Sequence, residues 1–363
     1  MRSPTGWRRR WRPRAHSLGE MLDFVKTVQR FRAVPPSIED VARHAGVSTA
    51  TVSRVINAAP TVRPETRAKV QSSIVALGYR LSESARSLAM SSSRQMLVLV
   101  PDFSNPYYGE IVRGIESVAR ENGYHVLLSD TLTDDARERI YVDLLGQQRA
   151  DGVICLDPVT IRRLVNDHVT SFPWVACSEF VTDVECSYVS IDHFQAAKDA
   201  VLYLLSRGHQ RIAFVNSDER YLYAQQRRAG YEAALREAGI NAVPEYVQAV
   251  GGTGYPLGEL AARRLFALDQ CPTAIFAVSD TLAIGVMKAA FRAGLSVPGQ
   301  LAVVGFDDIP IAEMFEPGIT TVAQPMHSLG QRAAALLLRQ IKDGRINLGK
   351  EVLTHRLVLR QSA

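Results

Sequence analysis

Thr49, Ala50, Ser53, Arg54 and Asn57 are spaced so that one helix would carry them all on a single face. Each is small or polar except Arg54, a single long cation. A helix face this bare of bulk can lie in the major groove of duplex DNA, where Arg54 offers two parallel donors to guanine O6 and N7. Thr49, Ala50 and Arg54 are the candidate base readers. Ser48, Thr51, Ser53 and Asn57 are candidates for holding phosphates. Further along, aromatic and charged residues follow short apolar runs. Tyr107 and Tyr108 could stack on a sugar or a base, Ser178 and Glu179 come next, and Asp192, Tyr223, Arg227, Thr253 and Asp307 stand in similar places. Each has a plainer reading: Asn105-Pro106, Asp192 and Asp307 could cap helices, and Arg227 could pair with a surface glutamate.

The first set belongs to a helix-turn-helix between Ser37 and Asn57. A helix is expected from Ile38 to Ala45, a corner at Gly46 where φ > 0 suits glycine, and a second helix from Thr49 to Asn57 capped by Ser48. Val52, Val55 and Ile56 share the opposite face, set to pack on Val41 and Ala42. A third helix is expected from Pro64 to Leu77, with proline at its first position and Gly78 just past its end. Its stripe of Val70, Ile74 and Leu77 would close a three-helix core, while Arg63 is a poor residue for its N-cap. A small amphipathic helical pair with no DNA role is the bland alternative.

At 363 residues the chain can hold two or three domains, and 47% apolar with 22% charged residues is ordinary for a globular protein. The net charge of +5 is concentrated near the start, in Arg8, Arg9, Arg10, Arg12, Arg43, Arg54, Arg63, Arg67 and Lys69 among others. A basic head on a near-neutral body points to a polyanion bound by the head. Cys155, Cys177, Cys186 and Cys271 form no zinc-spaced pair and read as reduced thiols of a cytoplasmic protein. No run of about 18 apolar residues is present to span a membrane, and the arginine-rich start is not followed by the apolar stretch of a signal peptide.

From Gln95 onward apolar strands alternate with helices. Strands are expected at Met96–Val100, Tyr124–Leu128, Gly152–Leu156, Trp174–Cys177, Arg211–Val215, Ala274–Val278 and Leu301–Gly305. Helices are expected at Ile111–Asn122, Ala136–Arg149, Thr160–His168, Ala196–Arg207, Ala224–Ala238, Gly258–Ala267 and Leu282–Ala293. The alternation predicts two doubly wound α/β lobes. In such sheets ligands bind beyond the carboxyl ends of the strands, which selects the aromatic and charged residues named above. Asp280 is expected to cap the helix that follows it. No nucleophile context, P-loop or dinucleotide fingerprint is present, so neither catalysis nor a cofactor or metal site is supported.

D-V-A-R-H-A-G-V-S-T-A-T-V-S-R-V-I-N, the Gly78-Tyr79 after the third helix and Ala85-Arg86-Ser87-Leu88 together resemble the DNA-binding head and hinge of the lac repressor family (LacI/GalR). The rest of the chain resembles that family's periplasmic-binding-protein-like core. The resemblance implies a fold of an all-α helix-turn-helix head plus two parallel-sheet α/β lobes. It also implies a homodimer on near-palindromic operator DNA, with no membrane partner. A hinge in this family wedges a leucine into the minor groove, here Leu88 with Ala85 beside it. Leu81-Ser82 departs from the family's frequent Pro-Asn. Arg227 matches a family arginine that grips the effector, and Asp307 an acidic residue that accepts from it; Tyr107 and Tyr108 match the cleft wall. Tyr221, Tyr223 and Thr253 are weaker candidates. The Tyr107-Tyr108 and Ser178-Glu179-Phe180 segments look closest to the cytidine-repressor branch, which implies a nucleoside effector, with a sugar as runner-up. A periplasmic-type sugar-binding protein with no DNA role is the rival reading.

The expected division is a basic extension over 1–35, a head over 36–80 and a hinge and linker over 81–93. The N-terminal lobe is expected over 94–191 and 323–352, and the C-terminal lobe over 192–322 and 353–363.

Overall fold

A computed structural model describes residues 36–57, 59–79, 92–131, 149–156, 172–182, 185–344 and 349–363. The basic extension, the hinge residues Ala85 and Leu88, and the helices expected at 160–168 and, save its last residue, 136–149 lie outside the described residues. The chain divides into two compact units, residues 1–86 and 87–363.

In the first unit α1 (Ile38–Ala45), α2 (Thr49–Ile56) and α3 (Pro64–Leu77) form a three-helix bundle. A reciprocal capping box starts α1. Asp40 N donates to Ser37 Oγ at 3.2 Å, and Ser37 N donates to the Asp40 carboxylate at 2.9 Å. These bonds hold the Asp40 carboxyl below its usual range, with Arg43 adding to the effect. Gly46 ends α1 at φ 66°, and Ser48 caps α2 by accepting from Thr51 N at 3.3 Å. Val41, Ala42, Val52, Val55 and Val70 make the buried core, with Ile56, Ile74 and Leu77 packed at its edge. α3 begins with Pro64 behind Arg63, which makes no capping bond.

The second unit holds two six-stranded sheets. The first comprises β1 (Gln95–Val100), β2 (His125–Asp130), β3 (Gly152–Cys155), β4 (Trp174–Cys177), β5 (Ser187–Ile191) and β11 (Lys350–Leu353). Their order is β11-β5-β4-β3-β1-β2 and every pairing is parallel. The second comprises β6 (Ile212–Asn216), β7 (Val247–Ala249), β8 (Ala274–Ala277), β9 (Ala302–Asp307), β10 (Thr320–Ala323) and β12 (Arg356–Val358). Here the order is β12-β10-β9-β8-β6-β7, with β12 alone antiparallel. Central strands are almost wholly buried, and among the described residues several helices pack on the two sheets.

Those helices are α4 (Pro106–Glu121), α5 (His193–Ser206), α6 (Leu222–Glu237), α7 (Tyr255–Phe266), α8 (Asp280–Arg292), α9 (Pro310–Met314) and α10 (Met326–Asp343). On the first sheet α4 and α10 cross at Gly114 and Gly330, where a Cβ on either would collide with the other helix's backbone. The chain crosses between sheets after β5, β10 and β11. Two of these crossings fall one residue later than the sequence implied: Ala323 still pairs with Asp307, and Leu353 with Ile191.

Helix starts are the main local correction. α4 starts at Pro106 rather than Ile111, because Asn105 accepts from Tyr107 N at 3.1 Å and proline fits the first turn. α5 starts at His193, with Asp192 as its cap. α8 starts at Asp280 itself, so the cap is Ser279 and not Asp280.

Candidate functional site

Two sites emerge, one in each unit. On α2 the side chains of Ser48, Thr49, Ala50, Arg54 and Asn57 are exposed, while Thr51 and Ser53 are half-buried. Thr51 also bonds Ser48 Oγ at 2.9 Å, so it supports the cap of the helix. The outer face thus presents short side chains and one free-standing arginine at the helix's C-terminal end, the form a major-groove reader needs.

In the second unit the strand ends of both sheets enclose a cavity of about 290 Å³. β1 and β6 each have neighbours reached by crossovers in opposite directions, which opens a crevice beyond their carboxyl ends. The cavity is lined by Tyr107, Tyr108, Ser178, Glu179, Tyr221, Tyr223, Arg227, Thr253 and Asp307, all named from sequence, together with Gln324. Asp192 is not among the lining residues. Its carboxylate accepts from Gln195 N at 2.8 Å, the capping role that a carboxylate one residue before a helix readily takes.

Buried polar groups on the cavity floor close into a ring that joins both lobes. Tyr107 Oη lies 2.6 Å from Ser178 Oγ and donates to Gln324 Oε1 at 3.1 Å. Gln324 Nε2 donates to Asp307 Oδ1 at 2.8 Å, and Asp307 faces the Arg227 guanidinium at 4.0 Å. Arg227 donates to Val278 O and, at 3.2 to 3.4 Å, to His193 Nδ1, while lying 3.4 Å over the Phe306 ring. His193 Nε2 closes the ring on Ser178 O at 3.4 Å. Because Nδ1 accepts from an arginine, the network assigns the imidazole proton to Nε2. Burial and the Arg227 charge push His193 well below its usual range, so it is neutral.

Burial raises the Asp307 carboxyl to about 7, against the opposing pull of Arg227 and Gln324. Behind it Asp280 is fully buried and accepts from Ile309 N at 2.9 Å and Thr321 Oγ1 at 2.6 Å. Burial and the neighbouring Asp307 charge push the Asp280 carboxyl well above the usual carboxylate range. Ser178 and Asp307 both adopt positive φ, 71° and 118°. Backbone strain of this kind persists where surrounding structure over-determines it, and it clusters at ligand clamps.

Sequence reasoning missed Gln324 and His193. Gln324 directly follows β10, a strand too short and threonine-rich to stand out. His193 sits one residue past Asp192, at a helix start placed three residues too late.

Residues 37–82 match the family model for bacterial regulatory proteins of the lacI family, and residues 201–363 match a periplasmic binding protein-like domain. Over 327 residues the chain is 36% identical to the HTH-type transcriptional repressor CytR of Escherichia coli K12, covering 90% of this chain and 96% of that protein. This chain belongs to the lacI family. Catabolite control protein A of Priestia megaterium is a further relative, 37% identical over 90% of this chain and 98% of its own length. Among solved structures, the lac repressor dimer bound to operator and the anti-inducer ONPF aligns with a TM-score of 0.78 at 28% identity, over 91% of this chain and 99% of that one. The CelR–cellobiose complex aligns with a TM-score of 0.70 at 29% identity, over 90% of this chain and all of that one. As a lacI-family member the chain is a DNA-binding transcriptional regulator, which rules out the rival reading of a binding protein with no DNA role. Among the described residues no helix is long and apolar enough to cross a membrane, and no cluster of His, Cys, Asp and Glu could hold a metal ion.

Proposed function

We propose that this lacI-family regulator works in the cytoplasm as a homodimer on inverted-repeat operator DNA, and that an uncharged polyhydroxylated molecule in the cleft sets its affinity. Arg227 and Asp307 carry this reading. Both face one cavity, are 4% and 5% exposed, and are held by a ring that spans two lobes. A buried opposite-charge pair costs desolvation on both sides, which makes it weak as a device for stability alone. A ligand with adjacent hydroxyls would accept from the guanidinium fork and donate to the carboxylate. Asp102, Glu179, Asp218 and Asp307 outnumber Arg220 and Arg227 around the cavity, which disfavours a phosphorylated ligand.

A nucleoside is favoured by the stacked rings of Tyr221 and Tyr223, 5.7 Å apart, facing the same space as Tyr107 and Tyr108. A sugar is the second reading, on the strength of the cellobiose-bound relative. Ligand can shift DNA binding only by its preference for one lobe arrangement over another. On the DNA side, Arg54 reads a guanine, and the hinge residues Ala85 and Leu88 contact the minor groove.

Thermal-shift measurements with cytidine, other nucleosides, ribose and cellobiose test the cleft. A true effector at a hundred times its Kd stabilises the core by about 2.7 kcal/mol, and a panel with no shift would overturn the effector class. Random-site selection tests the head. An inverted repeat is expected, and Arg54→Ala should lose about 10- to 100-fold in preference for it over scrambled DNA.

A further inference from the structure

Helix α6 starts without a cap of its own. Tyr221 occupies the N-cap position and its side chain makes no capping bond. A helix leaves its first backbone N–H groups unpaired, and burying them unpaired is costly. Here Leu222 N donates to Glu179 Oε1 at 2.8 Å, and Tyr223 N donates to Glu179 Oε2 at 3.1 Å. Glu179 does not belong to this lobe. It stands two residues past β4 in the first sheet, whereas α6 packs on α5 and β6 of the second. Its side chain is buried with the residue only 5% exposed, and a carboxylate at the positive end of a helix dipole is favourable. The cap of α6 therefore exists only while the two lobes meet.

We propose that Glu179 is a latch between the lobes: its carboxylate caps α6 from across the cleft and thereby favours the closed arrangement. Asn105 and Thr253, 3.4 Å apart, and Tyr107 and Gln324 also join the two sides, through neutral groups that gain less from meeting. Glu179 joins them with a charge and two donors at once. The latch also positions the aromatic wall. Tyr223, whose amide it holds, lies 4.9 Å from the Arg227 guanidinium and bonds Ser217 Oγ at 2.8 Å. Glu179 is thus a positioning residue of the cleft, not a group spent on ligand. Its regulatory consequence rests on the cleft being an effector site, while the latch itself is tested with neither ligand nor DNA.

The test is amide exchange on the full chain. Glu179→Ala should speed exchange in the first turn of α6, at Leu222 and Tyr223, by about tenfold, the worth of a helix cap. The β6 amides from Ile212 to Asn216 should not change, and Glu179→Gln, which keeps one acceptor oxygen, should fall between. Unchanged exchange at Leu222 and Tyr223 in Glu179→Ala overturns the proposal. A purely local role is separated by adding Tyr221→Ser, which gives α6 a cap within its own lobe. Spin labels at Phe103 and Ala249, with the exposed Cys271 replaced by serine, report the width of the cleft. In the double variant α6 should regain protection while the label distances stay longer than in the parent. Recovery of the parental distances would show that Glu179 acts through the helix alone and is no latch.

Discussion

The outer face of α2 and the floor of the cleft both carry polar side chains, and they are held in opposite ways. On α2 the polar groups point outward and need nothing from the fold: Thr49, Arg54 and Asn57 are exposed, and the core beneath them is built from four valines and an alanine. In the cleft the polar groups are the interior. Tyr107, Gln324, Asp307, Arg227 and His193 are all at most 6% exposed and satisfy one another in a closed circuit. The head can therefore change what it reads without changing what holds it together. In the core, the side chains that face the cavity are the same ones that tie the fold together.

The sharpest way to break that contrast is to attack the head's apolar core and ask whether the second unit notices. Val52 is fully buried. Val52→Asp would place a carboxylate without a partner in a domain whose whole stability is on the order of a few kcal/mol, and burial of such a group costs at least that much. DNA binding should be lost and the head's melting transition should vanish in calorimetry. The larger transition of residues 87–363 should keep its temperature; a fall in it would mean that the units are not independent.

Next in size is Asp307→Asn, where stability and site chemistry are entangled. The folded pKa of Asp307, about 7, lies above the 3.8 of an ordinary aspartate, so between those values the native state holds a proton that the unfolded chain has released. Native stability from this group is therefore highest at low pH and declines as pH rises to about 7. His193 runs the other way: buried and neutral, it loses stability below about 6.5, where the unfolded chain takes up a proton. That contribution is common to both proteins and cancels in their difference. The variant begins close to the parent, since at about pH 5 the protonated Asp307 is as uncharged as asparagine. Relative to the parent it should gain on the order of 2 kcal/mol between about pH 5 and pH 8, read from urea unfolding of the core. Parallel profiles would mean that Asp307 titrates normally.

The same contrast decides what could be read from sequence. In the head every determinant is local. Ser37, Gly46, Ser48, Pro64 and Gly78 mark helix ends by their own chemistry, and the valine spacing marks the buried face, so the three helices fall where the spacing puts them. In the second unit the alternation of strands and helices was legible, and so were residues placed just after long apolar strands, such as Tyr107 and Asp307. The ring was not. Its closure needs His193, Arg227 and Gln324 to converge from three elements, and no spacing along the chain encodes that approach. Asp192 and Glu179 show the limit most clearly. Both are carboxylates beyond strands, and only the fold tells that the first caps its own helix and the second another lobe's.

The smallest prediction returns to the head and asks whether its surface is as free of structural duty as the comparison holds. Arg63 is exposed at the N-cap of α3, with φ −59° and ψ 142°, and makes no capping bond there. A serine at that place would accept from an unpaired amide of the first turn and remove a cation from the positive end of the helix dipole, together worth about 1 kcal/mol. Arg63→Ser should thus raise the head's melting temperature by several degrees and leave the core's unchanged. If Arg63 is there for a phosphate, the more stable variant should bind every DNA sequence more weakly, and the slope of log affinity against log salt should shallow by about one. A stability gain with an unaltered salt slope would make Arg63 a plain capping defect. A salt slope that shallows without any stability gain would mean that the first turn of α3 is already satisfied some other way.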